Sequence, residues 1–312
     1  DMSRLGPQLL HAIDPQRFAK PAISLAQELS PAAINTGYLA LPPQHFVGRE
    51  GYLTELHAKL SQTDRVAVVA GFGGVGKTSV ARAYAWAHRA GYQAIWWLNA
   101  ETFTNDVLGQ AGELIDGLGN LPPDEQVKAA FEQVEKRGQE GRPYLLIIDN
   151  VETELTLPQG LPILGNKRLV TSRNEVWLKA TALTLDSWSA EVAQAYILDQ
   201  LPGSKANHAA ELAKGLCFLP LAIEQACAYC RIMGKPLADY KGDFRGYAQK
   251  LEAKPELLAG ALPNERPVWG TTGLMIQNLI DLNQDQALKL LSYLAFAPAT
   301  GLPREFVATY LM

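Results

Sequence analysis

Between about residues 46 and 186, short apolar runs alternate with longer stretches in which apolar positions recur every three or four residues. Short runs that stay apolar at successive positions and are rich in β-branched residues are typical of strands buried on both faces. Their alternation with helical patterns predicts an α/β domain with a five-stranded parallel sheet covered by helices. The predicted strands span residues 65–70, 94–98, 144–148, 168–171 and 182–185.

After about residue 187 the strand pattern stops, and the segments 189–201, 209–216 and 219–233 predict helices. The last of these has Pro220 near its first position and Gly234 just beyond its end, where a missing N–H and a positive φ are tolerated. A further run from about 271 to 312 also predicts helix. The sequence therefore predicts helical domains after the α/β domain.

The first 43 residues contain six prolines, which permit only short helical pieces and indicate a lead-in segment or linker. The chain begins at Asp1 and stops at the apolar Met312, inside a helical pattern. We therefore expect it to be a fragment of a longer protein.

The 28 Lys and Arg residues against 32 Asp and Glu leave a net charge of -4, so no overall basic field favours nucleic acid as a partner of this segment. We find no apolar stretch of spanning length and no signal sequence in the first 20 residues, so we expect no membrane association and assign the cytoplasm as the compartment. A pair of cysteines, Cys227 and Cys230, continues one helix face with Ile223, which favours apolar packing over a metal or redox role.

The strongest chemical signal is the run from Gly71 to Thr78, which reads GFGGVGKT and matches GxxxxGK[ST] between a strand and a helix. Its glycines let successive backbone N–H groups converge on phosphate oxygens, and the helix N-terminus favours an anion. Lys77 is suited to the β and γ phosphates, the Thr78 hydroxyl to Mg²⁺, and Ser79 to the α phosphate. The expected ligand is ATP or ADP with Mg²⁺. The predicted phosphate contacts are Gly73, Gly74, Val75, Gly76, Lys77, Thr78 and Ser79.

A phosphate loop also needs a carboxylate on another strand to hold the magnesium ion, and Asp149 follows the apolar run LLII. An acid at the end of a strand otherwise marks a turn, but the loop upstream favours a metal role with Thr78. Two arginines are further candidates: Arg173 at the end of the 168–171 strand could sense the γ phosphate, and Arg49 could close over the base. Either would otherwise be a solvated surface charge.

Five motifs in order resemble the NB-ARC family of STAND-class P-loop NTPases: FVGRE at 46–50, GFGGVGKTS at 71–79, LLIIDNV at 145–151, TSR at 171–173 and LPLAI at 219–223. The family includes apoptosome proteins, plant disease-resistance receptors and bacterial multidomain regulators. The run YQAIWWLNAET at 92–102 looks most like its bacterial or fungal branch. The resemblance covers roughly residues 44–312.

By this resemblance, Val47 and Arg49 would approach the adenine and its ribose or phosphates, Arg173 would sense the γ phosphate, and Pro220 would close the site from the helical domain. The strand order would be that of additional-strand P-loop proteins. The domains would be a lead-in at 1–43, a P-loop nucleotide-binding domain at 44–187, a small helical domain at 188–262 and a truncated winged-helix domain at 263–312. Effector and repeat sensor domains would lie outside this fragment.

Two departures from the family pattern bear on function. Many relatives have a second acid after the magnesium-binding Asp, but this chain has Asn150, and Glu152 is only a possible substitute for orienting the attacking water. We therefore expect slow hydrolysis, at most that of a switch. Phe218 also stands where the GLPL-like motif usually has Gly, and the chain ends before the family's His-containing winged-helix motif.

The leading hypothesis is an NLR-like signalling switch in bacterial defence or innate immunity, in which ADP holds a resting state and ATP opens it for self-association. An AAA+-like turnover ATPase or a small-molecule kinase is an alternative, because FVGRE also occurs in origin-recognition ATPases. A STAND-type transcriptional regulator is the other, because a winged helix can enter a major groove.

Overall fold

The computed structural model describes residues 39, 41, 43, 45–62, 66–112, 121–157, 161, 166–178, 180–254 and 263–296. Most of the predicted lead-in segment at 1–43, and the last part of the predicted winged-helix domain, lie outside these residues. In chain order the elements are α1 Glu50–Ser61, β1 Val66–Ala70, α2 Lys77–His88, β2 Ile95–Asn99, α3 Phe103–Ala111, α4 Pro123–Glu140, β3 Leu145–Val151, β4 Lys167–Ser172, β5 Thr181–Thr184, α5 Ala190–Gln200, α6 Ala206–Gly215, α7 Pro220–Met233, α8 Leu237–Glu252, α9 Arg266–Asp281 and α10 Asp285–Phe296.

The five strands form one parallel sheet in the order β2-β3-β4-β1-β5. The ends of each strand lie within three residues of the predicted ends. Strand β4 lies between β1 and β3, which is the order implied by the resemblance to additional-strand P-loop proteins. Because all pairs are parallel, the carboxyl ends of β1, β3 and β4 meet at one edge of the sheet. The residues that follow these three strands are therefore brought together there.

The core of the α/β unit lies between the sheet and the helices α3 and α4. Trp96 of β2 and Tyr144, just before β3, are each 1% exposed and meet edge to face with ring centroids 6.3 Å apart. Such pairs combine a large buried area with a favourable quadrupole arrangement. The central strands β1, β3 and β4 are buried on both faces, as a helix-covered parallel sheet requires, whereas Thr184 of the edge strand β5 is exposed.

The helices that follow the sheet pack through aromatic and small residues. Tyr229 of α7 lies against Tyr240 of α8, with ring centroids 5.2 Å apart. Helices α8 and α9 approach closely at Gly270, where an added Cβ would lie 2.8 Å from the Phe244 ring. Helix α7 begins at Pro220 and ends before Gly234, which has φ +60, so the predicted start and stop signals are confirmed.

The helical run predicted from 271 to 312 differs in two respects. The helix begins earlier, at Arg266, with Pro267 in its first turn, and it stops at Asp281. The chain turns at Asn283, which has φ +53, before α10 begins at Asp285. Asparagine tolerates this left-handed conformation, so it ended a helix that the apolar periodicity alone would have continued.

The chain divides into two compact units. One contains the sheet and its helices, up to Phe72 and from Gly76 to Asp186, and the other contains the helices from Ser187 onward together with Gly73–Val75. The domain limits at 44–187, 188–262 and 263–312 remain predictions. In the part of the chain that the structure describes, every helix is too short or too polar to cross a bilayer.

Candidate nucleotide-binding site

The loop between β1 and α2 has a backbone that only glycine adopts readily. Gly71, Gly74 and Gly76 have φ values of +140, +78 and +102. Helix α2 begins directly afterwards at Lys77, and its first regular bond runs from the Val80 amide to the Gly76 carbonyl at 2.9 Å. The first amides of a helix have no partner within the helix, so this turn presents N–H groups and a positive dipole end to an anion.

Lys77 lies within the loop rather than in solvent. Its ammonium donates hydrogen bonds of 2.8 Å to the carbonyl oxygens of Gly71 and Phe72, and the residue is 9% exposed. The loop thus holds the cation on its own backbone, beside the turn. A positive charge held in this way is available to polyphosphate without the cost of ordering a flexible side chain.

Thr78 and Asp149 meet across the carboxyl edge of the sheet. The Thr78 hydroxyl lies 3.0 Å from Asp149 Oδ1 and 3.4 Å from Oδ2, although 71 positions separate the two residues. Asp149 is 6% exposed. A hydroxyl and a carboxylate are the oxygen donors that Mg²⁺ prefers, and beside a phosphate loop they suit the usual protein share of its coordination shell. The donor chemistry therefore fits a magnesium-bound nucleotide.

Thr171 on β4 orients Asp149, a role that sequence reasoning missed. Its hydroxyl donates a short hydrogen bond to Asp149 Oδ1 and accepts one of 3.0 Å from the Asn150 amide. Thr171 is fully buried, so this hydroxyl has no access to competing water. The signal was a polar residue at the end of an otherwise apolar strand, inside the TSR motif. Hydrogen bonds of this kind fix the position of a metal ligand.

Asn150 has φ +64, and the pairing of β3 with β4 is irregular between Ile148 and Val151. The side chain of Glu152, the possible substitute for a second acid, is exposed to solvent. Arg173 follows the end of β4 and is also exposed. Ser79, the predicted α-phosphate contact, is partly exposed in the first turn of α2.

Arg49 occupies a buried position in the same unit. Its guanidinium donates to the carbonyl of Asp186, just beyond β5, and lies 5.2 Å from the centroid of the Tyr52 ring. Burial lowers the pKa of Arg49 from its ordinary value, and the neighbouring Tyr52 opposes this shift. These contacts tie the FVGRE segment to the end of β5. Val47, two positions earlier, is partly exposed.

Gly73–Val75 belong to the same compact unit as the helices from Ser187 onward. The Leu221 amide, next to the buried Pro220 at the start of α7, donates to the Gly74 carbonyl at 3.2 Å. The Gly73 amide donates to Glu265 Oε1 at 3.0 Å. Glu265 lies 192 positions away and no motif contains it, so sequence reasoning had no signal for it.

One stretch of the chain is similar to a family of NTPases. Residues 40–162 match the model of the family described as Novel STAND NTPase 1, or nSTAND1. This stretch includes the phosphate loop and Asp149 but ends before Thr171, Arg173 and Pro220. A search of curated proteins returned no significant match.

The fold of this chain matches several solved structures. A Walker-type ATPase of Pyrococcus abyssi superposes with a TM-score of 0.53 at 12% identity, over 71% of this chain and 78% of that one. A STAND protein with a tetratricopeptide repeat sensor from Pyrococcus horikoshii gives 0.43 at 18% identity, over 75% of this chain and 40% of that one. Drosophila ORC bound to DNA gives 0.44 at 14% identity, over 88% of each chain. The superposition on the Pyrococcus abyssi protein shows that this chain has the fold of a Walker-type ATPase, and residues 40–162 are similar to nSTAND1 NTPases.

Proposed function

We propose that this protein is a nucleotide-dependent STAND-type ATPase that uses Mg²⁺ with ADP or ATP as a conformational switch. One observation carries the proposal: Thr78, at the start of the helix behind a GxxxxGKT loop, lies 3.0 Å from the strand-end carboxylate of Asp149. This pairing of a hydroxyl with an acid from another strand is the arrangement that holds magnesium beside a phosphate loop. The match of residues 40–162 to nSTAND1 NTPases supports the same conclusion.

Each predicted residue has a role in this proposal. Lys77 contacts the β and γ phosphates, and Thr78 and Asp149 hold the magnesium ion, which supplies charge neutralisation between those phosphates. The backbone amides of the loop hold the remaining phosphate oxygens, and Ser79 contacts the α phosphate. Arg173 senses the γ phosphate. Val47, Arg49 and Pro220 complete the predicted set of nucleotide contacts.

Hydrolysis in this proposal is slow because, in the described segment that follows Asp149, Asn150 takes the position where a second acid would orient the attacking water. Asn150 follows Asp149 directly, and the nearby Glu152 is exposed. Asn150 also uses its backbone amide on Thr171, so this segment supports the orientation of Asp149. Slow turnover suits a protein whose output is the bound state rather than the product.

The finer proposal follows the resemblance to the NB-ARC family. ADP holds a resting state and ATP opens it for self-association, because a ligand shifts such an equilibrium only by its differential affinity for the two states. Lys77 and Arg173 are the sources of that difference. We place the protein in the cytoplasm, in bacterial defence or innate immune signalling, with effector and repeat sensor domains outside this segment.

The test begins with purified protein that is denatured so that any released nucleotide can be identified by chromatography. Calorimetry then measures ADP and ATP binding to the wild type, to Lys77→Ala and to Lys128→Ala. Lys128 is a matched control because its side chain is 78% exposed on α4. We expect Lys77→Ala alone to abolish binding while both variants keep the wild-type circular dichroism. Equal binding by all three proteins would refute the proposal.

Two further measurements separate the alternatives. A steady-state ATPase rate near the typical enzyme value of about 10 per second would indicate a turnover ATPase instead of a switch. Binding to duplex DNA that weakens steeply with added salt would indicate a transcriptional regulator. For the switch, we expect a rate below about one per minute, far under that typical value, and no such DNA binding.

A further inference from the structure

A buried carboxylate takes one of the phosphate-loop amides. Glu265 is 8% exposed, and its Oε1 accepts a 3.0 Å hydrogen bond from the Gly73 N–H. It is the last residue of the short helix Pro263–Glu265 and directly precedes α9. Burying a carboxylate is costly unless hydrogen bonds satisfy it, so this contact is a specific feature of the fold and not a surface approach.

The backbone around Gly73 is held firmly in this arrangement. The carbonyl of Gly74 accepts from the Leu221 amide at 3.2 Å. A Cβ placed on Gly74 would lie 3.2 Å from the Leu221 side chain and 3.3 Å from Val268, so these residues leave little space beside the loop. Val268 lies in the first turn of α9, three positions after Glu265. The backbone next to the contact between Glu265 and Gly73 is therefore closely packed.

Gly73 lies in the part of the loop that serves the last phosphates. Lys77, the residue suited to the β and γ phosphates, donates to the carbonyl of Phe72, the residue that precedes Gly73. A backbone N–H has a single proton and makes one good hydrogen bond at a time. A phosphate oxygen that uses the Gly73 amide must therefore displace the carboxylate or accept a like charge beside it.

We infer that Glu265 is a specificity-determining residue that makes the site favour nucleoside diphosphate over triphosphate. The inference rests on the proposed nucleotide binding. Its carboxylate holds the Gly73 amide and repels the additional negative charge of a γ phosphate, while a diphosphate carries less charge and reaches less far along the loop. Loss of this one charge shifts the preference towards the triphosphate.

The test compares Mg²⁺-ADP with a non-hydrolysable Mg²⁺-ATP analogue by calorimetry on the full chain. Glu265→Gln keeps an acceptor oxygen for the Gly73 amide and nearly the same volume, but removes the charge. We expect it to strengthen analogue binding about tenfold while ADP affinity changes less than about threefold. Glu252→Gln is the control, because Glu252 is exposed at the end of α8 and the same charge is lost there.

The outcomes separate this inference from the proposed function. If wild type binds nucleotide but Glu265→Gln leaves the ratio of the two affinities unchanged, or improves both equally, the role of Glu265 is wrong while nucleotide binding stands. If neither protein binds either nucleotide, both proposals are wrong. Should Glu265→Gln fail to fold, Glu265→Asp withdraws the carboxylate by one methylene. It must move the ratio in the same direction, and an unchanged ratio would overturn the inference.

Discussion

The hydroxyl of Thr171, on β4, donates a hydrogen bond to Asp149 at the end of β3, and so orients a carboxylate that also lies 3.0 Å from Thr78. Strand β4 lies between β3, which carries Asp149, and β1, which leads into the phosphate loop. A side chain on β4 can therefore hydrogen-bond to Asp149 from the side of the loop. The additional strand of this sheet thus contributes directly to the candidate magnesium site. Four predictions concern this site and other described residues of the chain.

Thr171→Val removes the hydroxyl and keeps the β-branched shape. Asp149 then loses a buried hydrogen-bond donor, and we expect Mg²⁺ affinity in the presence of nucleotide to fall roughly tenfold, in the range seen when partners of metal ligands are lost. Titration of Mg²⁺ into the protein with ADP measures this. Thr184→Val, on an exposed position of β5, is the control. An identical Mg²⁺ dependence in the two variants would rule out the orienting role.

Gly76→Ala tests the left-handed turn of the phosphate loop. An added Cβ would meet no atom within 4 Å, so the cost comes from φ +102 alone, and we expect a loss of about 1 to 2 kcal/mol in the free energy of unfolding. Gly51→Ala is the matched change, also in open space but inside α1, where it should stabilise by about 0.5 to 1 kcal/mol. Chemical denaturation measures the free energy of unfolding of both variants. If both substitutions changed it in the same direction, the explanation by backbone conformation would be wrong.

Arg173→Ala tests the proposed γ-phosphate sensor. A charge-assisted contact made only with the last phosphate should weaken triphosphate binding on the order of tenfold and leave ADP binding unchanged. Arg142→Ala, on an exposed residue before β3, controls for the loss of a positive charge. Parallel calorimetry with ADP and an ATP analogue is the measurement. A similar loss for both nucleotides would assign Arg173 a general electrostatic role.

We expect the stability of the folded protein to depend on pH through Glu224 in α7. Desolvation raises the pKa of its carboxyl from 4.5 to about 7, so the folded protein favours the protonated form. Its favourable contribution is complete below pH 4.5 and is lost as the pH rises through 7. Glu224→Gln should therefore leave stability unchanged near pH 4.5 and increase it by about 1 to 2 kcal/mol at pH 8. Denaturation at both pH values checks this, with Glu252→Gln expected to show no such difference.

The local pattern of apolar residues was sufficient to predict most of the sheet. The strands were predictable because each is a short, mostly apolar run, and the phosphate loop because its glycines, Lys77 and Thr78 lie together in the run 71–78. The break at Asn283 was not, because a single left-handed residue ended a helix without interrupting the apolar spacing on either side. The assigned roles of Arg173, Val47 and Pro220 remain predictions.

The sequence by itself determined the features that depend on neighbouring residues: the parallel α/β architecture, the anion-binding turn and the acid at the end of β3. Only the tertiary structure decided which distant groups meet that turn. Thr171 reaches Asp149 across 22 positions and Glu265 reaches Gly73 across 192. Such pairings depend on strand order and on helix packing, which arise from the burial of whole surfaces. They therefore cannot be predicted from the spacing of residues within a motif.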